Sequence, residues 1–160
     1  MKVERKIISI ILLIIIAKFL FVILGLSNKY YDIFIPIIPF ATLLNSNTLI
    51  ILFYIITATA SSIIHYDETF VVGLGYGISL LILIRFSRKY SLTNIFNYLL
   101  SVLTISVIVF FCMVLVYLAK DELVVMRDFS QFVSMNLVIA IFYYILYRIL
   151  ISRAYEYVKG

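Results

Sequence analysis

The sequence predicts an all-α, polytopic membrane helix bundle with six transmembrane helices, and three observations carry that prediction. Of the 160 residues, 65% are hydrophobic and only 13% are charged, with a mean hydropathy of +1.18. Soluble domains are about half apolar and about a quarter charged, and a small domain leaves too much surface exposed to hide such a surplus. The apolar residues also fall into runs close to the roughly 20 residues that a helix needs to cross a bilayer. Finally, the charged residues collect in short gaps between those runs, the arrangement that membrane topology requires.

Six runs are read as spans of one domain covering residues 1–160: Ile7–Leu26, Tyr31–Leu44, Thr48–Ile64, Phe70–Ile84, Ile95–Ala119 and Phe132–Ile151. The first follows basic residues, as a signal peptide does. It is too long for an apolar h-region and no small-residue cleavage site follows, so it is expected to be retained. The second is short: at 1.5 Å per residue it reaches about 21 Å into a hydrocarbon core of roughly 30 Å. It also carries Pro36 and Pro39, so a kinked or partly re-entrant element is expected there. The third and fifth have the length and composition of full spans, the fourth is short but apolar, and the sixth ends in a basic tail.

The connections orient the bundle. With both termini cytoplasmic, the inner segments carry nine basic residues: Lys2, Arg5, Lys6, Arg85, Arg88, Lys89, Arg148, Arg153 and Lys159. The outer segments carry three, Lys29, Lys120 and Arg127. The acids divide the other way, with Asp32, Asp67, Glu68, Asp121, Glu122 and Asp128 outside and Glu4 and Glu156 inside. An excess of Lys and Arg on cytoplasmic loops is what sets helix orientation. Five spans would place Arg85, Arg88 and Lys89 on the acidic side, so six is the better count. The longest outer connection, Lys120–Gln131, reads as a short amphipathic segment at the outer interface of the membrane or as a docking strip for a partner.

Several function classes are excluded by what the chain does not offer. A net charge of +5 could suggest nucleic acid, but the charges form no basic face, and no nucleic-acid partner is expected. Cys112 is the only cysteine, so neither an intramolecular disulfide nor a CxxC site can form, and it reads as a small residue facing lipid or another helix. No connection is long enough to fold into a catalytic domain. There is no P-loop, no pair of intramembrane carboxylates and no nucleophile motif, so neither enzymatic activity nor a cofactor or metal is expected.

Four constellations remain. His65, Asp67 and Glu68 fall in a five-residue outer turn, His65–Thr69; one histidine with two neighbouring acids is short of a metal site, and a solvated turn or a partner contact is expected. Gly73-Leu74-Gly75-Tyr76-Gly77 has the spacing of a phosphate cradle, but such a loop must follow a strand, and here it sits inside an apolar helix. Gly73, Gly75 and Gly77 instead read as a groove that lets a neighbouring helix approach. Lys18, near the middle of the first span, is expected to snorkel to an interface or to make a polar contact within the bundle or to a partner helix. With Asp32 assigned to an outer connection and read as an outer-loop contact, no acid is left to offset it, and Thr57, Thr59, Asn136 and tyrosine hydroxyls are the candidate neighbours. Gln131, Ser134 and Asn136 begin the sixth span, where amides bridge helices.

Three places carry a resemblance to a known family. They are the second span, YYDIFIPIIPFATLL, the hairpin SSIIHYDETFVVGLGYGISLLILIRFSRKY, and the closing helix NLVIAIFYYILYRILISR. With this length and topology the chain resembles MreD, the small membrane subunit of the bacterial rod-shape machinery. Tyr31 stands where that family has a Pro before the Asp, and Ser61 or Ser62 where it often has an Asp. The resemblance implies a non-enzymatic scaffold in the bacterial cytoplasmic membrane that binds MreC. It would thereby help couple MreB filaments to the RodA glycosyltransferase and its penicillin-binding transpeptidase partner in peptidoglycan elongation. The alternative of comparable length and span number is the substrate-binding (S-type) subunit of an energy-coupling-factor transporter. Such a subunit needs convergent polar groups around a ligand and an Ala-rich coupling face, and the first span has one Ala.

Overall fold

The computed structural model describes residues 15, 16, 18, 19, 31–43, 47–65, 69–87, 94–119 and 126–159, and these contain helices and no strand. Residues 15, 16, 18 and 19, within the first expected span, are helical. A 3₁₀ helix over Ile35–Leu43 follows, and then four α-helices: α1 (Asn47–His65), α2 (Thr69–Ser87), α3 (Ile95–Ala119) and α4 (Met126–Lys159). Successive α-helices pack on one another, α1 on α2, α2 on α3 and α3 on α4, and the 3₁₀ helix touches all four.

The α-helices bury one face each at helical spacing. Phe53, Thr57 and Ala58 of α1, Tyr76, Ser79, Leu80 and Leu83 of α2, and Tyr98, Val102, Ile105 and Val109 of α3 point inward. Phe132, Asn136, Ala140, Tyr143 and Tyr147 do the same on α4. Recurrence at three and four residues is what puts side chains on one stripe. The opposite faces are apolar as well. Leu81 is 69% exposed, Phe142 60% and Phe96 79%, while Lys18, Asp32 and Asn136 are buried. A water-soluble domain is built the other way round. Among the described residues two helices are long and apolar enough to cross a membrane, Ile95–Leu115 and Asp128–Ile149, and α1 and α2 hold shorter apolar stretches.

The central element follows from its two prolines. Pro39 inside an α-helix would clash with the carbonyl of Ile35 and could donate no hydrogen bond; the chain takes the tighter 3₁₀ form instead. Such helices seldom exceed three or four residues, yet this one runs for nine. Its surroundings hold it: Phe34, Ile35, Ile37, Ile38 and Phe40 are all buried. In a 3₁₀ helix the Pro36 carbonyl would accept from residue 39, which as proline has nothing to give. The Tyr98 hydroxyl of α3 donates to that carbonyl at 2.6 Å, and the Thr42 hydroxyl donates to the Pro39 carbonyl at 2.7 Å. Phe40 is packed between Tyr98 and Tyr147, with ring centroids 5.1 and 4.7 Å away. At a rise of about 2.0 Å per residue the element is only about 18 Å long, too short to cross a bilayer alone. The kink expected from sequence is therefore a change of helix type.

The glycine stretch lies within α2, and its neighbours belong to this chain. The Tyr54 hydroxyl of α1 donates to the Gly73 carbonyl at 2.7 Å, and a Cβ on Gly77 would lie 3.0 Å from the same hydroxyl. Gly75 faces α3, where a Cβ would come within 3.0 Å of Cys112 Sγ and 3.3 Å of its Cβ. Gly73 has open space around it. Close approach to α3 thus rests on Gly75 and Cys112 together. Gly75→Val should lower stability by about 1–3 kcal/mol through overpacking, with Cys112→Ala restoring part of the loss in the double variant. Gly73→Ala should raise it by about 0.5–1 kcal/mol by removing backbone freedom. Thermal unfolding of the purified variants in detergent checks both signs.

Candidate functional site: a buried Asp32–Lys18 centre

Asp32 opens the turn that leads into the 3₁₀ helix and caps it. Its backbone carbonyl accepts from the Ile35 N–H at 3.1 Å, and its Oδ1 accepts from the Phe34 N–H at 2.9 Å. Short acidic side chains favour this position because they satisfy the orphan donors of a helix start and suit its positive end. A local cap can sit in water. This one does not, for Asp32 is 0% exposed.

The remaining valences of Asp32 are filled from distant parts of the chain. The Tyr76 hydroxyl of α2 donates to Oδ2 in a short hydrogen bond. The Asp32 N–H donates to Asn136 Oδ1 of α4 at 2.9 Å. Lys18, 2% exposed, is attracted electrostatically to the carboxylate. Its Nζ lies over the rings of Tyr31 and Phe34, 5.7 and 5.9 Å from their centroids, where the ring quadrupole favours a cation. Tyr143 of α4 also lies within the electrostatic reach of Asp32. Both carboxylate oxygens accept hydrogen bonds and a cation lies close by, which are the conditions under which a charge tolerates burial.

These contacts revise the sequence reading at particular residues. Asp32, expected as an outer-loop contact, is buried, and it is the counter-charge that Lys18 was expected to lack. The cause is the cap: turning the chain into the 3₁₀ helix points the carboxylate inward, where the Tyr76 hydroxyl bonds it and the Lys18 charge opposes its own. Asn136 joins the same centre, whereas Thr57 turns its hydroxyl back to the Phe53 carbonyl of its own helix at 2.9 Å. Gln131 and Ser134 lie inside α4, which starts at Met126, so the second half of the connection read as interfacial is helical. His65 closes α1, and Asp67 and Glu68 lie outside the described residues. Tyr76 and Tyr143 escaped the sequence reading. The available signal was that Tyr76 is the one side chain with a hydroxyl inside GLGYG.

Among the described residues no group of three or more His, Cys, Asp or Glu could hold a metal ion. Both carboxylate oxygens and the N–H of Asp32 are engaged, so the centre is arranged to neutralise and position a charge. It joins the first helical segment, the 3₁₀ helix, α2 and α4 through one residue, Asp32, whose carboxylate meets Phe34 and Tyr76 and whose N–H meets Asn136. No family model matches this chain, and no curated protein or solved structure matches it.

Removing one member of a buried ion pair typically costs about 3–5 kcal/mol, because the other charge is left uncompensated. Lys18→Met and Asp32→Asn should each lower the melting temperature clearly. The double variant should lose less than the two single losses added together. Additive losses would mean that the two charges do not interact.

Proposed function

We propose that this chain is a non-enzymatic integral membrane scaffold of the MreD kind. In this reading six spans with both termini cytoplasmic lie in the bacterial cytoplasmic membrane. The bundle binds MreC and helps couple MreB filaments to RodA and its transpeptidase partner. The observation that carries the proposal is the position of the buried carboxylate. Asp32 and the two prolines belong to YYDIFIPIIPFATLL, one of the three places where the sequence resembles MreD, and the bundle converges on that place. A scaffold needs a fixed arrangement of helices, and a buried residue joined to several elements supplies one. It also needs outward faces for lipid and partner helices, and apolar residues such as Ile51, Ile55, Leu74 and Leu81 are exposed.

A second reading, the S-type transporter subunit, is favoured by a different observation: Lys18, Asp32, Tyr76 and Asn136 converge inside the bundle, as a ligand pocket would require. The first reading is preferred because the N–H and both carboxylate oxygens of Asp32 are already engaged by Asn136, Phe34 and Tyr76.

Co-expression with MreC followed by detergent extraction tests the scaffold. MreC should co-purify with the intact chain and fail to do so with Asp32→Ala, which unlocks the bundle. Folded MreC that never co-purifies, or a vitamin or metal ion retained stoichiometrically by the purified chain, would turn the assignment to the transporter reading.

A further inference from the structure

Two polar atoms in the core have no hydrogen-bond partner among the described residues: Ser106 Oγ of α3 and Asn136 Nδ2 of α4. Both residues are 0% exposed. Unpaired buried polar atoms are rare, since each costs about 1–3 kcal/mol.

The register of the two helices brings them together. Phe110 stacks against Phe132, ring centroids 5.8 Å apart, and Tyr98 against Tyr144 at 5.5 Å. Moving four residues inward from the first ring pair, or eight from the second, reaches Ser106 on α3 and Asn136 on α4. The two orphans therefore occupy the same level of the α3–α4 seam.

Neither orientation is arbitrary. Asn136 Oδ1 accepts from the Asp32 N–H; a flipped amide would set donor against donor, so Nδ2 is obliged to point away from Asp32. Thr57, Ser79, Ser101 and Thr104 donate to the carbonyl four residues earlier in their own helices. Ser106 could do the same toward Val102 and does not.

We infer that the seam holds one internal water molecule, bridging Asn136 Nδ2 and Ser106 Oγ. The donor and acceptor types choose the occupant. A cation would meet the N–H of Asn136, and an anion would sit near the Asp32 carboxylate. An apolar group would leave both atoms unpaired. A water molecule accepts from the amide and exchanges a hydrogen bond with the hydroxyl, the usual role of buried water. Held from both ends, the Asn136 amide keeps its oxygen on Asp32, so the water supports the centre described above through Asn136 and does not touch the carboxylate.

Two measurements on the full chain test this. Water-edited solid-state NMR of asparagine-labelled protein in lipid bilayers should show transfer from water to the Asn136 side-chain amide, and Ser106→Ala should abolish it. In detergent, Ser106→Ala should melt about 2–4 °C below the wild type, the shift expected from the loss of about one hydrogen bond in a chain of this size. If the seam is dry, removing an unpaired hydroxyl is neutral or stabilising. An amide with no water contact, or an Ser106→Ala variant that melts at or above the wild type, would overturn the inference; the first readout needs no substitution to fold.

Discussion

A carboxylate withdrawn from water loses several kcal/mol of hydration and is retained only where other groups replace what water gave it. Asp32 meets that condition through Phe34 and Tyr76, which donate to its two oxygens, and through Lys18, whose charge opposes its own. Each of these comes from a different stretch of chain. The 3₁₀ helix cannot shift along the bundle without drawing Asp32 off the Tyr76 hydroxyl. Nor can α4 slide without drawing Asn136 off the Asp32 N–H. Apolar packing alone would fix these positions less sharply, because aliphatic contacts are non-directional.

The prolines set the second constraint. They force a form of helix with an unfilled acceptor at Pro36, and Tyr98 fills it. The same ring stacks on Phe40 and lies against Tyr144, so one residue of α3 ties the irregular element to the two longest helices. An element without a complete hydrogen-bond ladder is tolerated at membrane depth only when surrounded by protein, and the burial of Phe34, Ile35, Ile37 and Ile38 meets that requirement. The polar groups thus sit inside and the apolar ones outside, which suits lipid as the surrounding solvent.

Much of the architecture was legible in the sequence. The run read as Ile95–Ala119 coincides with α3 end to end, because a long apolar run bounded by an Asn cap and a charged connection leaves little freedom. The Asn94 side chain accepts from the Phe96 N–H at 2.9 Å, as that cap should. The last helix begins six residues before the apolar run, at Met126, since hydropathy cannot see a polar first turn. Of the three glycines read as a groove, Gly75 and Gly77 lie at close contacts and Gly73 faces open space; the partners depend on where Tyr54 and Cys112 fall, which the sequence does not show. Asp32 was misplaced for a physical reason. Counting charges treats an acid beside a gap as solvated, while its burial depends on Tyr76, 44 residues away, and Asn136, 104 away. Ser106 gave no signal at all, because a serine in an apolar helix normally bonds its own backbone.

The central claim is that Asp32 is a buried anion whose charge is held by Lys18. Infrared difference spectroscopy of the protein in bilayers, wild type against Asp32→Asn, isolates the carboxyl band of this one residue. The expected result is a carboxylate band, slow to respond to exchange of the bulk solvent and displaced by Lys18→Met. A band that titrates freely with bulk pH as an exposed side chain does, or a protonated-acid band indifferent to Lys18→Met, would contradict it.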